Sequence, residues 1–472
     1  MQKLVNKATL LNDVEFKVSI NQLNGKDWNW INPKHGQIES PANYYESSLA
    51  EWHTFDALET HTECDVVVIG AGLLGSSTAL HLAEQGVETI LLDKDRIGSA
   101  ASGRNGGQLT PGLARWEAEE MIENFSHEDA KRLWNFTSVE AMQLIDNIAA
   151  KYQLDLQRKR GHITAAVHEG HLVALTQGSD ARKYLGENHT RVVGKHELFD
   201  HVKSKSYFGG LMDSLGGHIH PLALNRGIAY GFLQNGGTIY ERTEVTEIEE
   251  RDDGIYVHTA NGTIKARKSV VIGVHHASFK LLPQHNQTTI PFYTYVCTTA
   301  PLEVDLTELL PSDHPVYDTQ FQIDYYRGVS KNRLLFGGQG TGSCWSPEKT
   351  YQYLLGRINS VFPQLKQVEL DFVWSGTTDL TVNGATDSRK FGEKFPIYAV
   401  HGWSGHGVAQ TVRIGKAIAD DFCGRSDDFE MLTQIQHQDI LWGRALAPLV
   451  IPMAKGFYGV GAAMNPGKMV SF

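Results

Sequence analysis

The hexapeptide Gly70-Ala71-Gly72-Leu73-Leu74-Gly75 is the first place in this 472-residue chain where residue type and spacing together imply chemistry. The first glycine permits a tight turn, the second lets backbone approach a pyrophosphate, and the third lets a helix close on the preceding strand. The motif is weak alone, and its neighbours give it weight. It follows the apolar run DVVVIG from Asp65 and opens AGLLGSSTALHLAEQG, a helical pattern closed by Gly86. VETILLDK then reads as a second buried strand. Strand, helix and strand fit within about 30 residues, as a right-handed βαβ unit requires. The helix start at Leu73 and Leu74 is a ready anion site. Asp93, with Lys94 beside it, ends the second strand 18 positions after Gly75, placed to accept from a ribose hydroxyl. None of this separates a flavin from a nicotinamide dinucleotide.

The next segment is more selective. Ile97 to Gln108 (IGSAASGRNGGQ) is small and polar with one cation, Arg104. Such a loop can turn several backbone N–H groups onto an anion or a planar ring. On composition alone it also reads as a solvated Gly/Ser loop. From GAGLLGSSTALHLAEQG through LLDKDRIGSAASGRNGGQLTPG the chain resembles the D-amino-acid-oxidase-like family of FAD oxidoreductases. Matching segments follow in order: GGHIHPLALNRGIAYGFLQNGGTIYERTEVTEIE, KSVVIGVHHAS, YYRGVSKNRLLFGG and AVHGWSGHGVAQTVRIGKAIAD. The resemblance covers roughly residues 42 to 472. It looks most like the γ-glutamylputrescine oxidase branch, including ANYYESSLAEW before the first strand.

The resemblance implies roles. Val245 would present its backbone to adenine. Ser102, Arg104, Asn105, Gly106, Gly107 and Gln108 would wrap the pyrophosphate and isoalloxazine. Gly405, His406, Gly407 and Val408 would aim N–H groups and a helix N-terminus at the flavin pyrimidine carbonyl. A reduced flavin is negative near N1 and C2=O, so a helix N-terminus there is favourable. For His406 the backbone is expected to matter more than the ring. Arg327, in DYYRG, falls where family members often place a substrate-carboxylate arginine, and with Tyr325 and Tyr326 it could hold a glutamyl carboxylate. A salt-bridged surface arginine is the equal alternative.

Some departures narrow the substrate. Trp374 and Gly376 are retained from the family's Trp-x-Gly, but no proline follows until Pro396, where many amino-acid-oxidising relatives have Arg-Pro and a second Pro. That favours an amine whose carboxylate is remote. No cysteine stands where some relatives attach flavin covalently, so FAD is expected to be non-covalent. IPFYTYVCTTAPL lacks the lysine that some relatives place near flavin, leaving oxygen or a quinone as acceptor. The implied reaction is FAD-dependent oxidation of a γ-glutamylated amine to aldehyde, ammonia and hydrogen peroxide. The rivals are a quinone-linked dehydrogenase of an amino acid or secondary amine, and a non-catalytic flavin-binding protein.

The elements that must position these residues are separated along the chain. Strand–helix–strand patterning appears first, is interrupted, and resumes near the end. The expected fold class is therefore α/β: a discontinuous FAD-binding Rossmann-like domain (41–110, 205–285, 371–425) with an inserted mixed-sheet, α+β substrate domain (111–204, 286–370). Residues 1–40 read as a polar extension, and 426–472 as a helical and loop segment. An amphipathic pattern runs from Ser126 to Tyr152, Pro221 to Asn235 reads as a helix, Asn261-Gly262 as a hairpin turn, and a last helix starts near Val408. Section 153–205 looks strand-like and weak. The apolar LWGRALAPLVIPMA (Leu441 to Ala454) is expected to pack inside.

Net charge of −11 and scattered basic residues argue against nucleic acid as partner. Four cysteines (Cys64, Cys297, Cys344, Cys423) in no metal or redox spacing point to reduced thiols, a cytoplasmic setting and no metal site. No run of 18 apolar residues occurs, so no membrane span is expected. Oligomeric state is not legible.

Overall fold

Strand Thr62–Ile69 owes its position to Val66, Val67 and Val68, all fully buried, which only a strand covered on both faces can accommodate. It pairs in parallel with Thr89–Leu92 on one side and Thr263–Ile272 on the other. The computed structural model describes residues 30–31, 38–39, 43–50, 52–275, 281–282, 285–365, 367–440 and 443–469. Most of the expected extension 1–40 lies outside these; Trp30–Ile31 and Ile38–Glu39 form an antiparallel pair.

Two sheets carry the fold. The first has eight strands, ordered Val245–Arg251, Gly254–Thr259, Thr263–Ile272, Thr62–Ile69, Thr89–Leu92, Thr238–Tyr240, with Ile397–His401 and Asp387–Phe391 joined through Thr263–Ile272. The long strand Thr263–Ile272 is the junction. Its first half closes the Asn261-Gly262 hairpin, and Val270–Ile272 pair in parallel with Ile397–Ala399, a segment from near the end of the chain. Helices Leu73–Glu84, Pro221–Gln234 and Val408–Phe422 cover this sheet in one core. Gly415 is the close point: a Cβ there would lie 2.7 Å from Leu74 O and 2.8 Å from Ser77 Cβ. Ser77 Oγ donates to Val412 O across the same crossing at 2.7 Å.

The second sheet has nine strands, ordered Leu370–Thr381, Thr289–Thr299, Arg333–Thr341, Asp324–Val329, Val316–Asp318, Lys159–Ala166, Gly209–His218, Gln108–Leu109, with Thr190–Gly194 on Gly209–His218. Several segments lie elsewhere than contiguity suggested. Gly209–His218, Leu370–Thr381 and Gln108–Leu109, read as parts of the FAD-binding stretches, hydrogen-bond into this second sheet. Helices Ala118–Asn124, His127–Thr137 and Val139–Tyr152, from the stretch read as substrate domain, pack into the core of the first. Strand pairing is fixed by partners far away in sequence, which local patterning does not report. The pattern from Ser126 is two helices, because Ser138 leaves helical geometry between them and its Oγ donates back to Trp134 O. The section to 205 contains helices His171–Tyr184 and Lys195–His201.

Leu441 to Ala454 is also corrected. Helix Gly443–Met464 buries Ala447 and Ile451 against Phe292 but leaves Met453 74% and Phe457 77% exposed. Pro448 and Pro452 sit inside it without ending it. Ala445–Met464 is long and apolar enough to cross a membrane by length and composition, although no single apolar run spans it.

Candidate active site

At Gly70 the chain turns with φ +98°, and a Cβ there would lie 2.8 Å from Gly273 O. A Cβ at Gly75 would fall on Gly70 O, so helix and strand are in backbone contact. Ala71 N donates to Asp93 Oδ2 at 2.8 Å, and Asp95 N to Oδ1 at 2.8 Å, fixing the carboxylate at the mouth of the turn. Burial raises Asp93 to about 6 despite those donors. Ser102 Oγ accepts from Leu73 N at 2.9 Å, which brings the Gly/Ser loop onto the helix start. Lys94 points outward, 3.7 Å from Asp95. Thr243 N donates to Asp93 O, so the chain entering Val245 runs beside the acidic residue. Asn225 and Glu241 escaped the sequence reading. Asn225 Nδ2 holds Ala71 O at 2.9 Å, and Glu241 receives Ile97 N and Phe55 N. A polar residue inside an apolar helix pattern was the one clue to Asn225.

The loop Ala101 to Gln108 is held by neighbours on every side. Asn105 ties it internally, its Nδ2 donating to Ala101 O and Ser102 O while its Oδ1 accepts from Gly107 N. Arg104 is buried, its Nε donates to Ser375 O at 2.7 Å, and Trp374 Nε1 returns a bond to Arg104 O at 2.8 Å. Burial lowers Arg104 to about 10. Gln108 bridges two strands of the second sheet and His162. Tyr45, which sequence reading placed only in a matching segment, donates to Asn105 O at 2.8 Å.

Arg327 is buried, and its guanidinium is fully occupied within the protein. Its Nε donates to Gly106 O (2.7 Å), Nη1 to His218 Nδ1 (3.1 Å) and Gly328 O (3.2 Å), and Nη2 to Ile219 O (3.0 Å) and Tyr45 Oη (3.2 Å). Guanidinium has five N–H donors and all are engaged. It is not a surface ion pair, and its Nε supports Gly106 from beneath. Tyr326, on the opposite strand face, is stacked on Phe336 and donates to Tyr207 in the second core. Trp374 is fully buried behind the loop. Of Arg327, Tyr325, Tyr326 and Trp374, all candidates for the substrate side, Tyr325 alone is partly exposed: its ring faces Gly106, where a Cβ would lie 2.7 Å away, and its hydroxyl has no hydrogen-bond partner among the described residues. Burial keeps that hydroxyl protonated.

The second loop converges on the first from the other end of the chain. Asp379 Oδ1 accepts from Gly402 N and Trp403 N, Ser404 and Gly405 take φ +48° and +85°, and Gly407 caps helix Val408–Phe422. Gly405 is exposed, with nothing within 4 Å of where a Cβ would lie. Gly376 lies opposite Thr294 in the second sheet. Gln410 Nε2 donates to Thr110 O and Gly112 O, laying the segment after Gln108 across the helix start. His406 Nδ1 is 3.4 Å from Thr110 Oγ1, and its ring meets Tyr317 edge-on at 5.9 Å. Burial, and then the charge of Arg115, push His406 down to about 4, so it is neutral at physiological pH.

These residues fit FAD. A turn closed to any side chain meets a helix start and the Asp93 carboxylate, and the start of helix Val408–Phe422 is tied through Gln410 to the segment after Gln108. Among the described residues no cluster could hold a metal ion. The chain belongs to the DAO family of FAD-dependent oxidoreductases, whose description matches residues 65–421. It is 32% identical over 423 residues to the gamma-glutamylputrescine oxidoreductase of Escherichia coli (strain K12), covering 89% of this chain and 98% of that one. It is 32% identical over 429 residues to the probable oxidoreductase OrdL of Haemophilus influenzae, covering 89% and 97%. The solved glycine oxidase from Geobacillus kaustophilus superimposes with a TM-score of 0.67 at 21% identity, over 80% of this chain and 99% of that one, a likeness of fold.

Proposed function

We propose that this enzyme oxidises a γ-glutamylated amine such as γ-glutamylputrescine, releasing aldehyde, ammonia and hydrogen peroxide. What carries this reading is the near full-length similarity to the gamma-glutamylputrescine oxidoreductase. The engagement of Arg327 supports it: the position where relatives hold an α-carboxylate close to the reacting carbon is already satisfied. FAD, once bound without a covalent link, would supply the acceptor for hydride from the carbon next to nitrogen. Gly70, Gly72, Leu73, Leu74 and Gly75 would hold the pyrophosphate, Asp93 the ribose, and Val245 the adenine. Ser102 to Gln108 would lie along the ring system, and Gly405 to Val408 would turn amides toward the pyrimidine edge. Tyr325 and His406 would line the substrate side, both uncharged, in keeping with a reaction that needs an unprotonated amine rather than a strong side-chain base.

One observation favours a quinone as acceptor instead: helix Gly443–Met464 presents apolar side chains to solvent, where a membrane carrying such an acceptor could meet them. Purified enzyme with γ-glutamylputrescine in air separates the two. Stoichiometric peroxide is expected, and substrate-dependent flavin reduction without peroxide assigns the quinone.

A further inference from the structure

Among the arginines in or near the cleft, Arg115 differs from the rest. Arg104 and Arg327 donate to backbone carbonyls, and Arg182 is paired with Glu117 and Asp213. Among the described residues Arg115 has a buried Nε with no hydrogen-bond partner, and neither Nη forms a hydrogen bond or ion pair. No carboxylate acts on it; burial alone lowers it to about 10, leaving it cationic at neutral pH. Yet the residue is only partly screened from solvent, the combination expected of a side chain that lies deep but lines a cavity. A buried cation without a partner is costly.

Its position is enforced. Arg115 N donates to Gly384 O at 3.0 Å, Trp116 Nε1 to Asn383 O at 2.7 Å, and Gln410 secures Thr110 and Gly112 upstream. Ala114 sits at φ +56°, and this turn delivers Arg115. The loop therefore lies over the start of helix Val408–Phe422, close enough for the charge of Arg115 to be felt at His406. Around His406 stand Thr110, Tyr317 and, tilted against Tyr317 at 4.8 Å, His162, none of them anionic.

We infer that Arg115 is the anchor for the substrate carboxylate, holding the end of the molecule remote from the oxidised amine by a charged, bidentate contact. This rests on the proposed reading only in requiring that the substrate carry a remote carboxylate. It also places the anchor on the segment after the flavin loop, not on the strand that carries Arg327.

The test compares holoenzyme of wild type, R115M and R115K with γ-glutamylputrescine and with its decarboxylated counterpart, 4-aminobutyrylputrescine. Binding of glutarate, followed by flavin absorbance and by calorimetry, serves as a non-turnover probe. Losing one partner of a buried charge pair costs 2–5 kcal/mol, or roughly 30-fold and upward. R115M should raise KM for the carboxylate substrate and Kd for glutarate by about that factor, with R115K intermediate. The decarboxylated substrate should respond within about twofold in both variants. The ligand-free Tm of R115M should equal or exceed that of wild type, since an unpaired buried charge has gone. Equal losses on both substrates, or undiminished glutarate binding, overturn the inference. If wild type ignores γ-glutamyl amines altogether, the proposed function falls, and glutarate binding still decides Arg115.

Discussion

Arg327→Met removes the guanidinium beneath Gly106 and keeps most of the stem. Five hydrogen bonds are lost, and Gly106 O, Ile219 O, Tyr45 Oη and His218 Nδ1 lose a charged donor in a site 2% exposed. Bonds to a charged group are worth about 1.5–3 kcal/mol each, so a simple sum would exceed 7 kcal/mol. Water entry and relaxation reduce this, and removal of one buried charged partner typically costs about 3–5 kcal/mol. For a chain of this length that corresponds to a Tm lower by about 4 °C. The loop freed is the one carrying Asn105, Gly106 and Gly107, so flavin retention should fall with stability. Differential scanning calorimetry and the flavin-to-protein absorbance ratio after gel filtration measure both. The reasoning fails if Arg327→Met keeps its Tm and flavin but loses affinity for carboxylate-bearing substrate alone, since that is the signature of a ligand and not a clamp.

Gly75→Ala places a methyl on Gly70 O and should yield protein without flavin, read from the absence of absorbance near 450 nm in purified material. Asp93 is raised from the ordinary 3.8 to about 6, so the folded chain holds that proton more tightly than the unfolded one. Its contribution to folding therefore weakens as pH rises through this window, while the ionised form proposed to accept from the ribose dominates above about 6. Fluorescence titration of apoprotein with FAD should show affinity falling as pH drops below about 6, and Asp93→Asn should be weaker at pH 7.5 and flat across the range. On the last helix, Phe457→Glu at an exposed position should change stability by under about 0.5 kcal/mol, whereas Ile451→Ala, packed on Phe292, should cost about 2–4 kcal/mol by local unfolding in hydrogen exchange.

The parts of this fold that could be read in the sequence are those whose cause is local. The glycines from Gly70 to Gly75, the helix from Pro221, the Asn261-Gly262 hairpin and the helix at Val408 all carry their reasons within a few residues. Sheet membership does not: Gly209–His218 and Leu370–Thr381 look like any buried strand, and only distant partners decide which sheet receives them. The same limit applies to side-chain roles. Arg327 was readable as a cation at a suggestive place, but its five acceptors come from residues 45, 106, 218, 219 and 328, which no spacing connects. Arg115 leaves no local mark at all, because its significance lies in the partners it lacks. The stretch from Leu441 was expected to pack inside, but helix Gly443–Met464 runs through Pro448 and Pro452 and leaves Met453 and Phe457 exposed, since nothing in its own sequence says how much of the apolar face finds a partner.

The central claim is that this FAD enzyme takes hydride from a γ-glutamylated amine. Anaerobic titration of the purified holoenzyme tests it most directly, with γ-glutamylputrescine, free putrescine, glycine, and D- and L-amino acids compared at equal concentration. The account predicts rapid, complete bleaching of the flavin band by γ-glutamylputrescine, one equivalent per flavin, and slow or no bleaching by the others. Bleaching by an α-amino acid in preference to γ-glutamylputrescine would contradict it.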